Sequence, residues 1–534
     1  MEGSIMNAEE NGKNKNIKLI KRDAKILEEL ENTLKCSIPQ VKQYASRKLG
    51  FIIRENKIVE LSLFNKELKQ IPKCVFDLED LERLAFRSNP ITSIPDDIIK
   101  LSNLKFLHII ENPIKEIPEN ITELKNLEVL CLYTTNVSSL PESICKLSNL
   151  KQLWLEFCPI KKLPKCFENM TSLDQLLFAS AKIEKLPEKI GNLTKLIGIQ
   201  MEYNNLKEVP ESISNLENLG YIAWDGNQLT SLPESIGEVG KAKKFRYFGL
   251  SRNKLSSIPD SIGKLTNLEY LRLEKNQLKE FPDSITNLSK LQHLIAYDNK
   301  LESIPEDIGN MKNLQVLKLD NNCLTSLPDS IGELKNLQEL YIEGNHLSSL
   351  PDTLSNLTEL QELWVGRNNL SSLPESVCNL KNLQKLVISE NKIKELPEKI
   401  GQLSNLRFLN AKRNLIQSLP ESFGDLSNLQ ELQFGYNRLH EIPESFGNLK
   451  NLQKLYLQKN WAPSLPESFV GLINLSHLNL NHVPLNPLPD MLTKLPNLKC
   501  LWIQEEYFFT PYPENILQQL KQQGCKIFHM QVEK

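Results

Sequence analysis

Apolar positions recur along this chain with one spacing, clearest in Leu314-Gln-Val-Leu317-Lys-Leu319-Asp-Asn-Asn322-Cys-Leu324-Thr-Ser-Leu327-Pro328-Asp-Ser-Ile331-Gly-Glu-Leu334-Lys-Asn-Leu337. Leu317 and Leu319 alternate with Val316, Lys318 and Asp320. A period of two predicts a strand with the leucines on one face and the residues between them on the other. Pro328 fixes φ and lacks an N–H, which suits the first position of a short helical turn over 328–334. The unit returns about 20 times: a Leu, Ile, Val or Phe before Pro falls at Pro72 and every 23 residues to Pro233, then at Pro259 and every 23 residues to Pro489, with Pro513 one residue late. One such unit cannot bury its own leucines, so the core forms only by stacking neighbours. Asn322 has counterparts from Asn89 to Asn460. An amide there both donates and accepts, which predicts a buried structural ladder along the bends. Thr135, Cys158, Ala181 and Val483 replace it in a few units.

In chain order, the polar stretch 1–16 reads as a disordered tail, without the basic and then apolar pattern of a signal peptide and with no membrane span. Residues 17–58 read as an amino-terminal cap. Ile26, Leu27, Leu30 and Leu34 fall at helical spacing, and a hairpin from Phe51 leads into the repeats of 59–513. Residues 514–534 read as a closing cap, a helix ending at Gly524 and then a last strand. Three extra residues enter before Pro259, in Val239-Gly-Lys241-Ala-Lys243-Lys244-Phe, a tolerated bulge or, with Arg246, a basic contact site.

Charge alters this picture little, since 64 Lys and Arg balance 66 Asp and Glu at a net −2. That argues against nucleic-acid or membrane-surface binding driven by bulk charge. No phosphate loop, C-x-x-C pair or H-E-x-x-H helix occurs, and repeats and caps leave no room for an enzyme domain. No cofactor is expected. The 10 cysteines are scattered and read as free thiols in a reducing compartment. Counting 23 residues forward sets His477 beside Cys500 and His482 beside Glu505, a possible metal set that reads better as a polar patch.

With L-x-x-L-x-L-x-x-N-x-L and the Leu-Pro-x-x-Ile step in hand, the chain resembles the intracellular leucine-rich-repeat family. That family includes the Ras-pathway scaffold that joins a phosphatase to a Ras-like GTPase, the plant Ras-group-related proteins and many bacterial and archaeal repeat proteins. The resemblance implies an α/β repeat fold, a curved horseshoe solenoid with a concave parallel sheet. It also implies a cytoplasmic, non-catalytic scaffold or adaptor in signalling, with a protein partner on the concave face, a Ras-like GTPase among the candidates. The [RK]-x-V-x-F phosphatase-docking motif is not evident in 1–58. Two alternatives stay open: the recognition arm of a ubiquitin ligase or kinase encoded on another chain, and an immune-type receptor array.

Period two nominates the outward strand residues as the binding surface. Tyr133, Trp154, Tyr203, Tyr221, Tyr247, Tyr270, Tyr297, Tyr341 and Trp364 are the aromatic candidates, with Tyr436 and Tyr456 further on. Nine of the chain's 12 tyrosines fall at these positions, which favours an interface over strand propensity alone. Glu156, Glu202, Asp225, Glu274, Asp320 and Glu343 recur at one position beside them, and Lys385, Lys412, Arg413, Lys454 and Lys459 follow. The expected partner is basic toward the middle and acidic further along.

Overall fold

The computed structural model describes residues 5–7, 18–43, 46–241, 245–485, 487–504 and 513–529. It divides into two units, Met1–Leu255 and Ser256–Lys534.

In the first unit the amphipathic stretch folds as the helix Lys21–Leu34, burying Ile26, Leu27 and Leu30 and ending at Lys35 with φ 53°. Asp23 on the same face is fully buried. Its carboxylate accepts the Ile58 N–H at 2.8 Å and Arg22 Nε at 3.0 Å. Arg22 continues to Asp80 at 2.8 Å, and Lys57 meets the same carboxylate at 2.9 Å, so the helix is tied to the first repeat. The hairpin Gly50–Arg54 and Lys57–Phe64 turns at Glu55 and Asn56, with φ 51° and 63°. Left-handed backbone at both positions matches the natural strand twist. Ile5–Asn7, inside the stretch read as a tail, pairs antiparallel with Lys18–Ile20.

From Lys57–Phe64 the sheet grows by parallel strands, one per repeat, through Arg83–Arg87, Phe106–Ile110 and on to Tyr247–Gly249. Tyr221 pairs with Tyr247 even though 26 residues separate them. The extra length enters the turn Glu234–Lys241 instead, where the other turns run five residues or fewer. Ala242, Lys243 and Lys244 lie outside the described residues.

The second unit repeats the plan from Tyr270–Arg272 to Cys500–Ile503, all parallel and in register. The helix Glu514–Gln522 follows, burying Ile516 and Leu520. Gly524, at φ 87°, turns the chain into the strand Lys526–His529 against Cys500–Ile503.

The reference unit shows why the pattern works. Leu317 and Leu319 are fully buried and Lys318 half-buried, as period two requires. Asn322 Nδ2 donates to the carbonyls of Ala296 at 3.1 Å and Leu319 at 3.0 Å, and its Oδ1 accepts the Leu301 N–H at 3.0 Å. Pro328 stands one residue before the turn rather than in it. It is extended at φ −69° and ψ 151°, and the 3-10 turn Asp329–Glu333 follows. Its carbonyl accepts the Ile331 N–H at 3.0 Å, a cap that needs no N–H from the proline.

The turns stack closely enough that a Cβ on Gly332 would come 2.2 Å from the Thr353 carbonyl oxygen. Cys145 holds the place of Gly332 in its own repeat and Cys166 the place of Thr353 in the next. The two sulfurs therefore meet, and Cys145 and Cys166 form a disulfide with Cα atoms 5.9 Å apart. This corrects the expectation of free thiols throughout; Cys36, Cys74, Cys131, Cys158, Cys323, Cys378, Cys500 and Cys525 remain free. Where Cys158 replaces the ladder asparagine, its Sγ donates to the Leu132 carbonyl at 2.8 Å and keeps part of that role.

Candidate functional site: the open face of the strands

Each strand turns two side chains away from the leucines, at the places of Val316, itself buried, and Lys318, and the chain then passes the places of Asp320 and Asn321 before turning inward. The candidate aromatics occupy all of these rows rather than one. Tyr221, Tyr247 and Tyr270 take the first place; Trp154, Tyr341 and Trp364 the second; Tyr133 and Tyr297 share the third with the acidic residues. Tyr203 is not on a strand: it sits in the left-handed turn position at φ 55° and is 60% exposed. A Cβ on Gly226, itself at φ 69°, would come 2.5 Å from Tyr203 Cδ1, so glycine there is what admits the ring.

In the first unit Tyr221 and Tyr247 are register partners, and Tyr133 meets Phe157 edge to face at 5.4 Å between centroids. Trp154 Nε1 donates to Gln152 at 3.3 Å. Glu156 and Glu202 are half-buried and, among the described residues, form no ion pair. Burial raises the pKa of both, and Glu202, further pushed by Asp225 and Glu156, reaches about 7. Asp225 is not a surface group. It is buried and accepts the Ser251 N–H at 3.0 Å together with the Ser251 hydroxyl, in space left by Gly249.

In the second unit Tyr270 stacks on His293 at 4.3 Å, and Tyr341 stacks on Trp364 at 5.4 Å. Glu362 knits the latter pair, accepting from Tyr341 Oη at 2.7 Å, Trp364 Nε1 at 3.1 Å and Lys385 Nζ at 2.7 Å. Burial opposes ionisation of Glu362, but these three donors outweigh it and hold its pKa below the usual value. Lys318 Nζ lies 4.2 Å from the centre of the Tyr341 ring, and Lys275 Nζ is 6.0 Å from that of Tyr297. Asp320 is pushed up to about 6, mainly by burial and against the hydrogen bond from the Glu343 N–H; Glu343 is raised by burial too. Glu274, 2% exposed, is paired with Arg272 Nε at 3.1 Å and offers little to a partner.

Sequence reasoning did not single out Glu362, His293 or Gly226. Glu362 had a readable signal: it lies 23 residues before Lys385, in one row of adjacent strands. His477 and Cys500 are register partners as counted, while Glu505 lies outside the described residues. Among the described residues no group of three or more His, Cys, Asp and Glu could hold a metal. No described helix is long and apolar enough to cross a membrane.

Residues 96–181, 231–319, 297–369 and 364–437 match the family model described as Leucine-rich repeat region, and 428–449 match that described as Leucine Rich Repeat. The chain belongs to the leucine-rich repeat family. Proteins of this kind serve as protein-interaction scaffolds and receptor ectodomains, and no catalytic family matches. Among solved structures, a leucine-rich repeat protein of Leptospira interrogans is similar at 26% identity, over 88% of this chain and 95% of that one, with TM-score 0.56. The Arabidopsis receptor kinase HAESA, in complex with the peptide hormone IDA and a co-receptor, is similar at 25% identity over 94% and 92%, with TM-score 0.63. YopM of Yersinia enterocolitica is similar at 25% identity over 83% and 91%, with TM-score 0.57. A search of the curated proteins finds no match.

Proposed function

We propose that this protein is a non-catalytic scaffold of the cytoplasm that captures a protein partner on the open strand face, in small-GTPase or related signalling. The observation that carries the reading is the company the aromatic rings keep. Beside them Glu202 is half-buried with a pKa raised to about 7 and, among the described residues, in no ion pair, while burial raises Asp320 and Glu343 in spite of the attraction of Lys318 and Arg367. A carboxylate whose desolvation outweighs its counter-charges is an electrostatic cost that a partner's lysine or arginine relieves. The Leu-Pro-x-x-Ile step supports the intracellular branch of the family, and on that resemblance alone a Ras-like GTPase is the first partner to try. The eight free cysteines support a cytoplasmic setting. The Cys145–Cys166 bond weighs against it, so the redox state of that pair in cells tests the localisation.

The decisive experiment captures the natural partner with the whole chain and then compares Tyr270→Ala/Tyr297→Ala with the parent. Neither ring is in the core. Binding should weaken by at least about 2 kcal/mol while the thermal midpoint stays nearly constant. Unchanged binding by this variant, with loss caused by substitutions on the Asp329–Glu333 type of turn, overturns the reading.

A further inference from the structure

Within the second unit the third-place row changes sign. Where Asp320 and Glu343 stand in their repeats, Lys412 stands three repeats beyond Glu343. The left-handed residues of three consecutive repeats there are Arg413, Tyr436 and Lys459, at φ 58°, 60° and 56°. Three cations surround one ring: from the Tyr436 centroid, Lys412 Nζ is at 5.3 Å, Arg413 Cζ at 5.2 Å and Lys459 Nζ at 4.9 Å. Two residues past Tyr436, Arg438 lies 5.6 Å from the ring of Trp461, which is 51% exposed. Among the described residues these four cations make a single ion pair, Arg413 to Glu390 at 3.8 Å. A tyrosine face attracts one cation well, but three share this one and repel each other.

We propose that this cluster docks a carboxylate-rich, extended segment of a protein partner. Its acidic side chains pair with Lys412, Arg413 and Lys459, and an apolar side chain packs on Trp461. A phosphoryl group is best held where several donors converge on one point. Here Arg413, Arg438 and Lys459 are exposed and Lys412 half-buried, spread over three consecutive repeats roughly 4.8 Å apart, and the point that Lys412, Arg413 and Lys459 surround is filled by the Tyr436 ring. A row of separate cations matches a row of carboxylates. An exposed tryptophan beside an arginine is the kind of residue that anchors such contacts. The proposal rests on the scaffold reading above and adds the partner's charge at these repeats.

The test is fluorescence anisotropy on the full chain, using a short labelled Asp/Glu-rich peptide with one phenylalanine. Two controls accompany it: the same peptide with every carboxylate changed to the amide, and that amide peptide carrying phosphoserines. The acidic peptide should bind, and Lys412→Glu/Lys459→Glu should weaken it by at least about tenfold. Trp461→Ala should weaken it by roughly threefold, and added salt should weaken it in the parent. Should the charge reversal unfold the repeats by circular dichroism, Lys412→Gln/Lys459→Gln replaces it with the same expectation in direction. Binding of the amide peptide as tight as the acidic one, binding of the phosphoserine peptide alone, or indifference to the lysine variants each overturns the proposal. If the peptide fails while Tyr270→Ala/Tyr297→Ala still weakens the natural partner, the docking site is wrong and the scaffold function stands.

Discussion

Replacing Asn322 by Leu, close to it in size, asks whether the asparagine ladder or the leucine core fixes the chain's bends. Removing the amide takes away its two shortest donations and its one acceptance. Both carbonyls keep another donor: Ala296 O still accepts from Asn299 Nδ2 at 3.1 Å, and Leu319 O from Asn345 Nδ2 at 3.0 Å. The Leu301 N–H keeps none, since Asn322 Oδ1 is its acceptor. One orphaned buried donor costs about 1–3 kcal/mol. The control is Asn321→Gly. Asn321 is exposed, sits at φ 52° where glycine is at ease, and makes surface contacts only, to Asp298 at 2.7 Å and from Arg367 at 3.0 Å. Its loss should stay within about 0.5 kcal/mol. Urea unfolding followed by circular dichroism ranks the two variants. Amide exchange locates the damage, because stacked repeats depend on their neighbours and the Leu301 amide should exchange roughly 5- to 150-fold faster. Equal midpoints for the two variants, or unchanged protection at Leu301, would refute the ladder argument.

Two further outcomes follow from the electrostatics and the crosslink. Glu202 has a folded pKa of about 7 against 4.5 when unfolded, so the native state holds a proton that the unfolded chain releases across that window. Its contribution to stability is therefore full below the unfolded value and falls as pH rises toward 7. Glu202→Gln should flatten that fall and raise the midpoint at pH 8 by about 1–2 kcal/mol of stability, discounted because the carboxylate is partly solvated; a parallel pH profile for parent and variant would refute the desolvation argument. Reducing Cys145–Cys166, which closes a loop of separation 21, should cost about 3 kcal/mol in the chain-entropy model, and Cys145→Ser/Cys166→Ser should be insensitive to reductant. A parent whose urea midpoint ignores reductant would show that the bond contributes nothing.

Much of the fold is readable residue by residue because each rule acts inside one repeat. Leu317 and Leu319 go inward by period two, and Asn322 is needed where the chain bends. What escaped depends on a neighbour. The disulfide requires seeing that Gly332 touches Thr353, a step of 21 residues rather than 23, before Cys145 and Cys166 become partners. Asp225 looks outward in its own repeat. It is buried because the next repeat supplies Gly249, with no Cβ, and the donors of Ser251. Tyr203 alternates like a strand residue, yet the chain has already turned left-handed there, beside a glycine one repeat on. Period two tells which face a residue takes; it does not tell what stands opposite it 23 residues later.

The division of labour within a repeat also decides how a partner can lie on the second unit. Core leucines and the asparagine ladder carry most of the fold and leave the places of Val316, Lys318, Asp320 and Asn321 freer to vary, although Val316 and Asp225 at two of those places are buried. Asp320 and Glu343 use that freedom to present half-buried carboxylates with raised pKa values. Three repeats past Glu343, Lys412 begins a basic stretch, roughly 14 Å away at strand spacing. That separation exceeds the screening length of about 8 Å in physiological salt, so each patch acts on the partner locally instead of neutralising the other. A partner with basic groups over Asp320 and Glu343 and acidic groups over Lys412 and Lys459 is held one way round. Turning it end for end sets like charges against each other at both patches, which costs several kcal/mol. On the proposed reading, orientation would be set by this sign change, while the aromatic platform of Tyr341 and Trp364, itself held by Glu362, would supply area that is indifferent to direction.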